Sequence, residues 1–266
     1  MSTAAVLFDL DDTLLWDERS VEEAFTATCK AAADAVSIDA GELLAAVREE
    51  ARKLYETYDT FAFTQMIGIN PYEGLWANFT AGEQPEFRRL QELAPGYRKS
   101  SWDKALNRLG VQNEELAAAL AEQFAAERRK RPYVYAETFE VLKSLQGKVK
   151  LLLLTNGSPD LQQEKLDGVP DLAPYFDHIV ISGSFGKGKP DPSIFLHALS
   201  MLEVDPQRAI MVGDKLTTDI KGGNAAGLTT VWINRTDRPK DPAILPNYEI
   251  QDLKELHPIL NELQLT

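Results

Sequence analysis

Val6, Leu7 and Phe8 form a short apolar run that ends abruptly in three carboxylates, Asp9, Asp11 and Asp12. Such a run suits a strand buried on both faces. Carboxylates this close repel one another, and burying them is costly unless a cation or hydrogen bonds compensate. Asp9 and Asp11 alternate around Leu10, so both can be aimed at one point beyond the strand end. A hard cation such as Mg²⁺, which takes oxygen ligands and sits beside substrate phosphates, suits that point. An acidic turn capping the strand, with Thr13 as a helix N-cap, accounts for the same residues. What lies downstream decides between the two.

The residues after Thr13 change period. Ser20-Val-Glu-Glu23 reads as a capping box, and Asp39-Ala-Gly-Glu42 repeats it ahead of a second helix. Helical patches follow at 72–79 and 86–93, Ser101 is expected to open another helix, and Asn113 a last one. Arg128-Arg-Lys-Arg131 then meets Pro132, and basic residues suit a helix C-terminus. From Pro132 the pattern alternates: helix 137–145, strand 149–154, a helix from Ser158, strand 178–182, helix 191–202, strand 208–213, helix 217–226 and strand 229–233. Strands separated by helices imply a parallel sheet covered on both faces. The first strand cannot stand alone, so it belongs to this sheet. The expected fold is therefore a doubly wound α/β domain, residues 1–15 plus 132–266, carrying an inserted α-helical cap, residues 16–131.

At 266 residues the chain is long enough for that arrangement. A net charge of -13 argues against nucleic-acid and anionic-membrane partners, which need basic patches. An anionic ligand would have to be held by a few local cations or a metal. The single cysteine, Cys29, precludes an intrachain disulfide and fits a reducing compartment. No apolar run approaches membrane-spanning length, and the N-terminal residues do not read as a signal peptide, so a cytoplasmic location is expected.

In doubly wound sheets ligands bind beyond the carboxyl ends of the strands. The second strand is followed by Thr155, Asn156 and Gly157, a hydroxyl, an amide and backbone N–H groups at a helix start. That is an anion cradle, and equally a strand-to-helix turn with Ser158 as N-cap and Pro159 at N1. Lys189 stands in Gly186-Lys-Gly-Lys-Pro-Asp-Pro192, its backbone held extended by Pro190. The fourth strand ends in Gly213-Asp214, with Asp219 five residues on. Acids, a hydroxyl–amide pair and a lysine at these places share one denominator, a divalent cation with a phosphate.

With these residues in place, the chain resembles the haloacid dehalogenase superfamily. Asp9-Leu-Asp-Asp-Thr13, Thr155-Asn-Gly157, Lys189 and Gly213-Asp214 through Asp219 are similar to its four motifs, in order, with the helical insertion standing where a C1-type cap does. Leu151 to Gly157, Lys189 to Phe195, Asp219 to Gly223 and Val231 to Asn234, with Arg98 and Trp102, are similar to N-acylneuraminate-9-phosphatase-like members. Lys215 and the second lysine, Lys187, depart from the pattern.

The resemblance implies a Mg²⁺-dependent phosphomonoester hydrolase for a small phosphorylated metabolite, such as an acylneuraminate 9-phosphate, another sugar phosphate or a nucleotide. Asp9 would be the nucleophile, forming an aspartyl phosphate, and Asp11 the general acid and base. Asp9, the Asp11 backbone carbonyl and Asp214 would hold the metal, with Asp219 orienting its waters. Leu10, Thr155, Asn156, Gly157 and Lys189 would bind the transferring oxygens. The cap would close over the site, and Arg98 would either make a cap ion pair or grip a substrate carboxylate. The chain would act as a monomer or homodimer. The same fold admits a 2-haloacid dehalogenase, a phosphosugar mutase or a non-enzymatic metabolite-binding regulator.

Overall fold

A computed structural model describes residues 4–265. The chain forms two compact units. Of the described residues, one holds 4–16, Val134–Gly157 and 169–265; the other holds Asp17–Tyr133 together with Ser158–Gly168.

The first unit is an α/β domain on a six-stranded sheet: β1 (Ala5–Phe8), β2 (Lys150–Thr155), β3 (His178–Ile181), β4 (Ala209–Gly213), β5 (Thr229–Ile233) and β6 (Tyr248–Ile250). The order is β3-β2-β1-β4-β5-β6 and every pairing is parallel. All four β1 residues are buried, which is why they are apolar without alternation. On one face Leu7, Leu152 and Met211 pack with Ile194, Phe195 and Leu199 of the helix Pro192–Leu202.

Chain direction across the sheet decides where a ligand can bind. From β1 the chain goes out to β2 and β3, and from β4 it goes out the other way to β5 and β6. The strand order therefore reverses between β1 and β4, and such a switch point opens a crevice at the carboxyl ends. Phe8 pairs with Leu153 on one side and Val212 on the other. One residue further on, Asp9 emerges level with Leu154 and Gly213, and its N–H donates to the Val212 carbonyl at 3.0 Å.

The second unit is built of helices and loops around its own apolar core, in which Phe25, Trp102 and Phe124 are fully buried. Asp39 caps the helix Ala40–Tyr55 by accepting from the Glu42 N–H, and Asn113 caps Glu114–Arg129 by accepting from the Leu116 N–H. The basic run is absorbed by ion pairs: Arg128 with Asp17, Arg129 with Glu164, and Lys130 and Arg131 with Glu127.

Several boundaries differ from the periodicity reading. The first helix starts at Asp17, and Ser20 lies inside it, its hydroxyl accepting from Arg128. Ser101 opens no helix: it sits within one continuous helix, Pro85–Arg108, that runs through Pro95, and it donates to the Tyr97 carbonyl. The expected helix 217–226 is a π-helical turn, Leu216–Ile220, followed by the short α-helix Lys221–Ala225. The helix Pro159–Asp167 groups with the helical unit, where Lys165 pairs with Glu73 at 2.9 Å and Asp160 accepts from the Thr80 N–H. No helix of the described residues is long and apolar enough to cross a membrane.

Candidate active site

Beyond β1 and β4 three acids converge. One carboxylate oxygen from each of Asp9, Asp214 and Asp219 lies within 4.8 Å of the others, and all three residues are buried or nearly so. Between two of them stands Lys189. Its ammonium is 2.5 Å from Asp9 Oδ1 and 2.8 Å from Asp219 Oδ1, and it donates to the Leu154 carbonyl at 2.8 Å. Two hydrogen bonds and a second ion-pair contact surround the ammonium. A lysine with 4 % of its surface exposed stays charged only with such partners. Burial alone would lower its pKa, but Asp219 and Asp9 outweigh that and raise it.

The acids outnumber the lysine. Burial first, then the charges of Asp219, Asp214 and Asp11, push the Asp9 carboxyl well above the ordinary carboxylate range, against the pull of Lys189. Burial, with Asp219 and Asp12, pushes Asp214 to about 7, against the pull of Arg238. Shared negative charge among buried carboxylates, which offer oxygen donors only, is the composition a hard divalent cation takes. The site fits such an ion on its donor set.

Local geometry explains the positions. Asp12 has φ 58°, a left-handed conformation that Asp tolerates, and it turns the chain after β1 so that the Leu10 carbonyl accepts from both Leu14 and Leu15 N–H. The Thr13 hydroxyl points back to Asp9 Oδ2 at 3.4 Å rather than capping a helix. Gly213 is required by Asp219: a Cβ there would lie 2.4 Å from its carboxylate. Asp219 Oδ2 in turn accepts from the Lys215 N–H at 3.0 Å, at the start of the π turn.

The remaining expected residues stand around this cluster. Asp11 is half-buried, and its carboxylate is outside the triad. Asn156 was expected to face an anion. Its side chain instead accepts from the Lys189 N–H at 2.8 Å and donates to the Lys189 carbonyl at 2.9 Å. The Gly157 N–H, expected in the same cradle, donates to Ser182 Oγ at 2.9 Å, and Gly157 itself has φ 149°. Thr155 ends β2, buried. Lys187 is exposed and pairs with Asp191, so Lys189 is the lysine at the acids. Arg98 makes no cap ion pair among the described residues; it donates to the Ala77 carbonyl and to Asn78 Oδ1.

The sequence of the haloacid dehalogenase-like hydrolase family matches residues 3–227. The chain belongs to that family. A phosphoserine phosphatase of Thermus thermophilus is 37% identical over 254 residues, which are 94% of this chain and 96% of that one. An N-acylneuraminate-9-phosphatase of Mus musculus is 38% identical over 170 residues, 62% of this chain and 68% of that one. Among solved structures, the HAD-hydrolase YfnB of Bacillus subtilis bound to magnesium superposes with a TM-score of 0.64 at 24% identity, covering 98% of this chain and all of that one. A 2-haloacid dehalogenase of Pseudomonas syringae gives 0.60 at 27% identity, covering 98% and 99%. The chain is thus a hydrolase with the family's α/β fold, and the enzymes it matches include named phosphatases.

Two residues at the site had no role assigned to them from sequence. Trp232 Nε1 donates to the Asp214 carbonyl at 2.8 Å, and Arg238 contacts both that carbonyl and Asp214 Oδ2. The signal available for the first was positional, since Trp232 stands level with Gly213 on the neighbouring strand.

Proposed function

We propose that this hydrolase cleaves phosphomonoesters of small metabolites with Mg²⁺, through an aspartyl phosphate on Asp9. The observation that carries the reading is the convergence of Lys189 with Asp9, Asp214 and Asp219 at the switch point of the sheet. One lysine and three acids form a site for a cation and an anion together. The phosphatase names of the relatives support the same substrate class.

A carboxylate nucleophile needs orientation more than a base, because it is ionised once its proton is lost. Asp9 is oriented by its own N–H bond to β4, by Thr13 and by Lys189. A bound Mg²⁺, held by Asp9, the Asp11 carbonyl and Asp214, would neutralise charge between nucleophile and ester. Lys189 would move from Asp9 Oδ1 to a phosphoryl oxygen while Asp219 keeps hold of it. The Leu10 N–H and Thr155 would bind the other oxygens, with Asn156 and Gly157 fixing the loops behind them. Asp11, half-buried beside Asp9, would protonate the leaving alkoxide and then deprotonate the incoming water. The substrate's identity would be set by the helical unit.

The test is turnover of a chromogenic phosphomonoester with Mg²⁺ and with excess chelator, followed by a phosphometabolite panel. Activity undiminished by chelator removes the metal assignment. Halide release from 2-haloacids without phosphate release replaces the reading with the dehalogenase one.

A further inference from the structure

The two cations that face the buried acids are mounted in the same way. Asn156, the residue after β2, grips both the N–H and the carbonyl of Lys189, at 2.8 and 2.9 Å. Asn234, the residue after β5, grips both the N–H and the carbonyl of Arg238, at 2.7 and 3.1 Å. Asn234 is fully buried, and its amide also donates to Glu249 Oε1 at 2.9 Å, which fixes which way it faces. A buried amide satisfied on both ends holds its loop in one conformation. The loop after β5 is therefore built to present Arg238, as the loop before Pro190 presents Lys189.

Arg238 is aimed at Asp214. One nitrogen, Nη2, donates to the Asp214 carbonyl at 2.6 Å and to Asp214 Oδ2 at 3.1 Å. Trp232 donates to the same carbonyl from the other strand at 2.8 Å. Backbone and carboxylate of Asp214 are thus held together by a single guanidinium, which itself remains 45% exposed. We propose that Arg238 is a positioning residue that holds the Asp214 carboxylate in the orientation that a divalent cation at the acid cluster requires. The inference rests on the cation reading of the preceding subsection.

Charge and orientation predict opposite signs. A guanidinium repels a divalent cation, so charge alone makes binding tighter when Arg238 is removed. Residues that orient a metal ligand instead weaken binding roughly 10- to 100-fold when removed. Arg238→Met keeps the aliphatic stem and deletes charge and donors at a half-exposed position. Mg²⁺ is titrated calorimetrically into wild type and variant without ester. The expected result is a Kd raised by about 10-fold, with the same rise in half-saturating Mg²⁺ during turnover. KM for a chromogenic phosphomonoester at saturating Mg²⁺ stays unchanged. A Kd unchanged or lowered in Arg238→Met overturns the inference and leaves the cation reading standing. A wild type that takes up no divalent cation overturns both.

Discussion

Replacing Asp214 by Asn separates the electrostatics of the acid cluster from its chemistry. Burial and the charges of Asp219 and Asp12 raise the Asp214 carboxyl from 3.8 to about 7. Between those two pH values the folded chain holds a proton that the unfolded chain has released. Stability from this group is therefore present at low pH and is lost as pH rises toward 7. Asn is neutral throughout, so its advantage over Asp grows across the same window. A shift of roughly three units corresponds to about 4 kcal/mol above pH 7, of which less than half is already reached at pH 5. The cation-free variant should thus gain about 3 kcal/mol more over wild type at pH 8 than at pH 5. For a chain of this size that is a difference of about 6–12 °C in Tm. The assay is thermal unfolding of both proteins in chelator at the two pH values. Saturating Mg²⁺ at pH 8 should erase the advantage by stabilising only the wild type. An advantage equal at both pH values, or one that shrinks as pH rises, refutes the reasoning.

Asp11→Asn should lower turnover by about 10²–10⁴-fold, as expected for a lost general acid and base, with less effect on an activated leaving group; steady-state kinetics on two esters check this. Asn156→Ala releases the Lys189 backbone and should lower kcat/KM by about 10²-fold, the scale of a displaced catalytic group; an unchanged kcat/KM would deny the clamp. Gly213→Ala forces a Cβ against the Asp219 carboxylate and should cost about 1–3 kcal/mol in urea unfolding; a loss under about 0.5 kcal/mol would mean the contact relaxes freely.

The parts of the molecule readable in the sequence are those set by local pattern. β1 announces itself because a strand buried on both faces must be apolar, and its end is marked by Asp9. The alternation after Pro132 yields the parallel sheet, and the switch-point rule then selects Asp9 and Asp214. Contacts made across long sequence separations leave no such trace. Asn156 looks like an anion ligand beside Thr155, yet a residue 33 positions away takes both ends of its amide. Arg238 lies in no motif, and the grip of Asn234 on its backbone exists only once the loop after β5 is folded. Ser20 looks like a cap, but Asp17 already starts the helix and Arg128 claims the hydroxyl. The patch at 86–93 and the helix expected from Ser101 are one helix, Pro85–Arg108, which continues through Pro95 because Leu90, Ala94, Tyr97 and Trp102 are all buried on one apolar face. β6 is three residues long, too short for period-two alternation to register.

The covalent step at Asp9 is the centre of the mechanism, and trapping it is the most direct test. Asp11→Asn is mixed with an activated phosphomonoester and Mg²⁺, quenched in acid within one turnover, and its intact mass and peptides are measured. The expected result is one added phosphoryl group, located on Asp9, accumulating because no base remains to activate water. A phosphoryl group on any other residue, or turnover with no adduct in either the variant or the wild type, contradicts it.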